Sequence, residues 1–266
     1  MSARDTSQSR IRAIIALWWL PVVLVAAWWF FSASSQSFYF PPLEKILAVL
    51  LRDLVSGSLL VDLFISVGNM LAGLGFAILF GVLFGLAIGE YGAVRRATTP
   101  TLNFLRAIPP AAIVPIVIIA MGIGSAPKIF IIALACFWPV LLNTIDGVRG
   151  IPAPLIDTAR AFRIPVGLRF RRVLLMAALP QIMAGIRVAV AVALVLMVIS
   201  EFFGASAGLG FYINESKQRF AMPETWAGTV LVGILGYLMS ALFLRIERWM
   251  LGWYFLEAGS SAKTAR

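Results

Sequence analysis

Long apolar runs constrain this chain more than any other feature of its sequence. Several of them approach or exceed the roughly 20 residues that a helix needs to cross a bilayer. Hydrophobic residues make up 61% of the chain and charged residues 13%, whereas about half and about a quarter are usual in soluble domains. A soluble domain is therefore excluded. The pattern predicts an all-α, polytopic membrane protein.

We predict six membrane-spanning helices, with approximate bounds at residues 11–31, 60–89, 102–122, 128–145, 180–203 and 226–244. The first is expected to be a retained anchor. Between the first two, Pro42 precedes apolar residues at helical spacing, which predicts a short amphipathic helix near the outer surface. The predicted division is a tail (1–10), the first span with the external helix (11–59), a core domain (60–245) and a second tail (246–266).

Basic residues are concentrated on one side of the predicted spans. Both tails with the adjoining Arg12 and Arg245, the 89–99 loop and the 146–179 linker together hold fifteen Lys or Arg and six acids, whereas the two long loops on the other face hold four of each. Because Lys and Arg near span ends favour the cytoplasmic side, both termini and the linker are predicted to be cytoplasmic. This distribution explains the net charge of +10 without a nucleic-acid partner, and anionic membrane lipid is expected at the basic face.

Small residues recur at every fourth position of the second span. Such a stripe lets another helix approach closely. Static helix packing is the favoured interpretation, and a sliding surface used in gating is the alternative. The stripe consists of Gly73, Ala77, Gly81, Gly85 and Gly89.

The third span and a few polar residues within spans mark a candidate translocation path. Prolines interrupt the third span, and broken helices at membrane depth occur where they are buried in protein or line water. Arg187 and Glu201 lie about 21 Å apart along a helix, so they mark either the two ends of a polar path or charges that reach the two interfaces. The candidates are Asn69, Arg106, Pro109, Pro110, Pro115, Asn143, Arg187 and Glu201.

No catalytic or metal site is predicted. The chain has no His and a single Cys, so the usual bases, nucleophiles and metal ligands are missing. It also lacks G-x-x-x-x-G-K-[ST], the loop that binds ATP phosphates. The glycines at 204, 208 and 210 follow a span rather than a strand and do not predict a nucleotide site. We therefore expect neither an enzyme nor a cofactor bound by this chain.

The linker between the fourth and fifth spans carries a specific pattern. It holds six arginines and two acids, and a short helix beginning near Pro152 or Pro154 would present Asp157 in its first turns, where the helix dipole favours an acid. The run from Asp157 to Pro180 resembles the E-A-A-x-x-x-G…L-P loop of ABC importer permeases, with departures at Thr158, Arg163 and Met176. Other segments are similar to the nitrate/sulfonate/taurine permease family, among them Arg106-Ala-Ile-Pro-Pro-Ala, Pro139-Val-Leu-Leu-Asn-Thr and Ser200-Glu-Phe-Phe-Gly-Ala-Ser-Ala-Gly-Leu-Gly.

This resemblance implies the type I ABC importer permease fold and an ATP-driven importer in the cytoplasmic (inner) membrane. The chain would form the path for a small, anionic solute such as a sulfonate, taurine, nitrate or an aromatic acid, delivered by an extracytoplasmic binding protein. It would work with a second permease subunit as a homodimer and with two ATP-binding cassette subunits, which would hold ATP and Mg²⁺. The cytoplasmic coupling helix that seats in the ATPase would comprise Pro154, Asp157, Thr158, Ala159, Arg160, Phe162 and Arg163.

The residues alone leave two other classes open. A secondary transporter or channel would need no ATPase, but such proteins normally carry an intramembrane ion-coupling cluster or an internal repeat, and neither is found. A non-transporting membrane scaffold would not need a broken third span.

Overall fold

The computed structural model describes residues 19–254, and every regular element in that part of the chain is a helix. The predicted all-α architecture is confirmed. We number the helices α1 (Trp19–Ser32), α2 (Leu43–Val55), α3 (Ser58–Glu90), α4 (Gly92–Arg106), α5 (Pro110–Met121), α6 (Ser125–Arg149), α7 (Ala153–Ala161), α8 (Val166–Phe202), α9 (Leu209–Gln218) and α10 (Met222–Met250).

Four of these helices, α3, α6, α8 and α10, are long and apolar enough to cross a membrane. The bent pair α4 and α5 makes a fifth if the two form one span. Helix α1 is apolar but shorter, and the part of the predicted first span before residue 19 lies outside the described residues. The described chain thus accounts for four or five of the six predicted spans.

Three predicted connections prove to be helical. The 89–99 loop with Arg95 and Arg96 is the start of α4, the basic end of the 146–179 linker belongs to α8, and the loop after the fifth predicted span contains α9. The predictions ended each span where polar residues began. Polar residues do not exclude a helix, because Arg, Gln and Lys have high helix propensity. Helices α4 and α9 are therefore separate helices in these connections, and α8 begins at Val166, well before the predicted fifth span.

The predicted break in the third span is confirmed. Helices α4 and α5 are bent by 84° relative to one another. Pro109 is the N-cap of α5 and Pro110 its first residue, and two adjacent prolines cannot donate the backbone hydrogen bonds that would continue α4. Pro115 lies within α5.

The chain divides into two compact units. The first consists of Met1–Leu60 and Ile213–Leu231, and the second of Val61–Tyr212 and Val232–Arg266.

In the first unit, the amphipathic helix predicted after Pro42 is α2, which buries Leu43, Ile46 and Leu50. The unit also holds Arg52 bonded to Asp53 and Glu224, which raises the pKa of Arg52, and an aromatic group of Trp28, Phe40 and Trp226.

In the second unit, the small-residue stripe of α3 lies against α6. A Cβ built on Gly73 would lie 2.8 Å from Ile132, one on Gly81 2.8 Å from Val140, and one on Gly85 2.5 Å from Thr144. Each partner lies 59 residues further along the chain, and Gly89 meets Val148 with the same offset. A constant offset means that α3 and α6 run parallel and in register over four turns.

This parallel pairing constrains the path of the chain between the two helices. The chain leaves α3 at the end where Gly89 meets Val148 and enters α6 at the opposite end. The segment formed by α4 and α5 must therefore return along the length of the pair. This requirement supports counting α4 and α5 as one broken span.

Helix α8 lies antiparallel to α6 through a second set of small residues. A Cβ on Gly147 would lie 3.1 Å from the Cβ of Ala178, and one on Gly185 2.7 Å from the Cβ of Asn143. Close helix contact of this kind is the usual means of packing in membranes, where no hydrophobic force acts between helices. Helix α6 is thus held between α3 and α8.

We predict that Gly85→Ala weakens the protein and that Gly75→Ala, on the same helix, does not. The new methyl group at 85 would collide with Thr144, whereas no atom lies within 4 Å of a Cβ at 75. Overpacking costs about 1–3 kcal/mol, whereas Gly to Ala at an open helical site is favourable by up to about 1 kcal/mol. Thermal unfolding in detergent measures both, and equal stability of the two variants would contradict the packing assignment.

Candidate functional site

Helix α7 is the short helix predicted between the fourth and fifth spans. It runs from Ala153 to Ala161 with Pro152 at its N-cap. Proline is suited to a helix start because the first backbone N–H groups have no partner within the helix. Asp157 lies beyond the first turn, which contains no acid. The dipole argument for Asp157 was therefore wrong, since the effect falls off within the first turn.

One face of α7 anchors the helix and the rest is exposed. Ala159 is buried, and Ile156 packs against a core cluster that includes Leu86 and Leu174. Phe162, just after the helix, is 79% exposed. The other predicted coupling residues are all exposed, namely Pro154, Asp157, Thr158, Arg160 and Arg163. The helix therefore offers a surface that residues 19–254 do not cover.

Arg163 occupies the position at which the loop of ABC importer permeases has glycine. The backbone conformation at this position explains the preference for glycine. Its φ is +50°, in the left-handed region. The N–H of Arg163 donates to the carbonyl of Arg160, and that of Ile164 donates to the carbonyl of Ala159 at 3.1 Å. This is the Schellman ending of a helix, in which glycine is the favoured residue. The turn after α7 thus keeps the geometry of a glycine ending, with an arginine in a strained position.

Sequence reasoning missed the contact that holds α7 to α3. Glu90, the last residue of α3, accepts a hydrogen bond from Arg169 of α8 at 2.8 Å. Arg160 of α7 lies 4.0 Å from the same Glu90 oxygen. The signal that could have found it is that Glu90 is the only acid between Asp62 and Asp146. A lone acid at a span end beside a basic linker predicts an ion pair.

Helix α8 begins with an irregular turn. Residues Arg169–Leu174 form a π-helix before the α-helix resumes. Such segments are rare and frequently occur at functional sites. The segment is well anchored at its end, because Leu174 is fully buried.

At the other end of the α3–α6 pair, Glu201 lies in a buried polar cluster, which we call the Glu201 cluster. Glu201 is 1% exposed, and both of its carboxylate oxygens lie 2.8 Å from the hydroxyl of Ser66. The N–H of Gly210 donates to Glu201 at 2.8 Å, and that of Leu209 to Ser66 at 2.8 Å. These bonds tie the chain after α8 to α3.

Two more charged side chains complete the Glu201 cluster. Asp62 accepts a hydrogen bond from the N–H of Gly208 at 2.6 Å, and Lys128 donates to the carbonyl of Ala207 at 3.3 Å. Gly208 is required here, because its φ is +121° and a Cβ would lie 2.5 Å from the Glu201 carboxyl carbon. The glycines at 208 and 210 therefore pack closely against the Glu201 carboxylate of the same chain.

Arg187 has a separate partner, Glu247 of α10. The Arg187 side chain is half-exposed and that of Glu247 is buried. Arg187 and Glu201 thus do not meet, as their spacing predicts. The sequence analysis assigned Glu247 to the C-terminal tail, whereas it lies within α10.

The remaining path candidates are dispersed. Arg106 is exposed at the end of α4, where the broken span bends. Asn143 donates to the carbonyl of Pro139 and accepts a hydrogen bond from Gln181. Asn69 is buried, and its Nδ2 has no hydrogen-bond partner among the described residues. That these residues line a path stays a prediction.

The chain matches a known protein family over the part that contains this site. The family described as binding-protein-dependent transport system inner membrane component matches residues 77–251. This range contains α7, the π-helical turn and Glu201. The chain belongs to this family.

Individual relatives and solved structures agree with this family assignment. A probable ABC transporter permease protein of Brucella melitensis is 32% identical over 75% of this chain and 81% of its own length. A putative aliphatic sulfonates transport permease protein of Bacillus subtilis is 34% identical, over 75% and 72%. The fold is similar to a chain of the MetNI methionine ABC transporter in an inward-facing conformation, with a TM-score of 0.62, 20% identity and coverage of 74% and 97%. The type I importer permease fold is thus confirmed.

We predict that Arg163→Gly raises thermal stability and that Arg163→Ala does not. Glycine adopts a positive φ freely, whereas a left-handed residue with a side chain costs about 1–2 kcal/mol. Alanine removes the guanidinium and keeps the backbone strain, so it controls for loss of the side chain. The melting temperature in detergent reports the difference. Equal shifts for the two variants would show that backbone strain is not the cause.

Proposed function

We propose that this chain is the permease subunit of an ATP-driven importer, moved through α7 by a separate ATPase. Family membership makes it the membrane component of a binding-protein-dependent transport system. The observation that carries the ATPase proposal is α7 itself, a helix anchored by one face with the rest uncovered. Because the sequence lacks a phosphate-binding loop, ATP and Mg²⁺ are assigned to the partner.

The orientation we propose puts α7 and both termini in the cytoplasm. Helices α3 and α6 are parallel, so the chain that follows each of them emerges on the same side. The segments at these ends carry Arg95 and Arg96 in α4 and the arginines of the 146–179 linker. Basic residues at span ends favour the cytoplasmic face. The Glu201 cluster then belongs to the outer face.

We assign two copies of this chain and two ATPase subunits to the working transporter. The chain would contribute half of the path, and the second copy the other half. The two-copy arrangement rests on the resemblance to ABC importer permeases, and the family's description as binding-protein-dependent supports a binding-protein partner. The binding protein would meet the outer face.

The proposed solute is a small organic anion of the sulfonate class. The Bacillus subtilis relative is a putative aliphatic sulfonates permease. Within this chain, the exposed Arg106 at the break of the third span offers positive charge to an anion, whereas Arg187 is paired with Glu247. An arginine presents its donors in a planar fork that suits sulfonate or carboxylate oxygens.

The ATPase proposal predicts that an ATP-hydrolysing subunit co-purifies with this chain from its own host. Asp157→Lys should reduce the co-purified ATPase at least tenfold, because it reverses the charge on the exposed face of α7. Asp146→Lys is the matched control, since Asp146 is also exposed and pairs with an arginine three residues later. Quantitative blotting of the purified membrane fraction measures both.

Transport by the wild-type chain with no ATPase present would contradict the proposal and favour a secondary transporter or channel. Equal loss of the ATPase from both variants would show that general charge, and not α7, governs assembly.

A further inference from the structure

Glu90 joins both flanks of the coupling segment to α3. Its Oε1 accepts a hydrogen bond from Nη2 of Arg169 at 2.8 Å and lies 4.0 Å from Nη2 of Arg160. Arg160 belongs to α7 and Arg169 to the first turns of α8. One carboxylate oxygen therefore connects three helices. We call these three residues the Glu90 clasp.

The Glu90–Arg169 pair of the clasp is enclosed, whereas the side chain of Arg160 is 58% exposed and also lies 3.9 Å from Asp157. The side chain of Glu90 is 6% exposed and that of Arg169 is 13% exposed. The pair formed by Asp146 and Arg149 has both side chains more than half exposed. Water and salt weaken an exposed pair. An enclosed pair is costly to separate, because separation leaves each buried charge without compensation.

An aromatic pair joins the residues that follow Glu90 and Arg169 in the chain. The rings of Tyr91 and Phe170, which follow Glu90 and Arg169 in the chain, lie 6.2 Å apart. The Nε of Arg169 is buried without a hydrogen-bond partner. The guanidinium is thus directed to Glu90 and has little alternative bonding within the described residues.

Two irregular segments adjoin Arg169 of the clasp, one before it and one that begins with it. The turn at 162–165 connects α7 to α8 and contains the strained Arg163. The π-helical turn Arg169–Leu174 follows. A displacement of α7 could be absorbed in either segment if α7 and the start of α8 were not tied to a third element.

We propose that Glu90 is a positioning residue for coupling. It fixes α7 and the start of α8 to the end of α3, so that movement of α7 is passed to the α3–α6 pair. It contacts neither ATP nor solute and acts through Arg160 and Arg169. The inference rests on the proposed function of α7.

The first test uses the chain alone and needs no ATPase. Spin labels at Leu83→Cys on α3 and Phe162→Cys after α7, both exposed positions, are placed on a Cys136→Ser background, and pulsed EPR gives their distance distribution in nanodiscs. Glu90→Gln should at least double the width of the distribution. Asp146→Asn, the matched control, should leave it unchanged. The reversed pair Glu90→Arg with Arg169→Glu, combined with Arg160→Glu so that no arginine of α7 faces the new one at position 90, should narrow it again.

The second test reconstitutes the same variants with the co-purified ATPase subunit and measures ATP hydrolysis stimulated by the permease. Glu90→Gln should lower this stimulation at least fivefold while the amount of bound ATPase stays within twofold of wild type. The reversed pair should recover stimulation to within twofold. Recovery by the exchanged charges would assign the effect to the ion pair, and the unchanged amount of bound ATPase would distinguish lost coupling from lost folding or assembly.

A narrow, wild-type distribution in Glu90→Gln would overturn the proposal. So would unfolding of Glu90→Gln without rescue by the reversed pair, since Glu90 would then serve folding only. If wild type binds no ATPase, the proposed function fails, and the distance distributions still decide whether Glu90 holds α7.

Discussion

The close approach of α3 and α6 is the constraint on which the rest of the second unit depends. Four glycines on α3 meet side chains on α6 with a fixed offset of 59 residues. In a membrane, where helices gain little from the hydrophobic effect between them, such contacts supply much of the packing energy. The pairing fixes direction as well as distance, and so determines on which end of the unit each following segment emerges.

The coupling segment is built on one end of this pair. Val148 of α6 and Leu86 of α3 form the core on which Ile156 of α7 rests, and Glu90 closes the same end through Arg169. At the opposite end, Glu201 and Ser66 bind the glycine-containing chain after α8. Both ends therefore use a buried glutamate to fix a connection that has little apolar area of its own.

The sequence predicted the spans and α7 well because apolar length and proline position are local signals. The glycine stripe also predicted a close helix contact. It did not predict the partner, since no feature of the α3 sequence indicates a contact with Ile132 or Val140. The ends of α4 and α8 were misplaced because arginines continue a helix beyond the membrane. The partners of Glu90, Ser66 and Lys128 could not be assigned from the sequence, because they lie 70 or more positions away.

The proposed coupling requires α7 to face the cytoplasm, where an ATPase can reach it. The most direct measurement is thiol labelling of single-cysteine chains on a Cys136→Ser background, with Phe162→Cys after α7 and Phe220→Cys between α9 and α10, both exposed positions. A membrane-impermeant maleimide should label position 162 only in inverted vesicles and position 220 only in spheroplasts. Labelling of position 162 in intact spheroplasts would contradict the account.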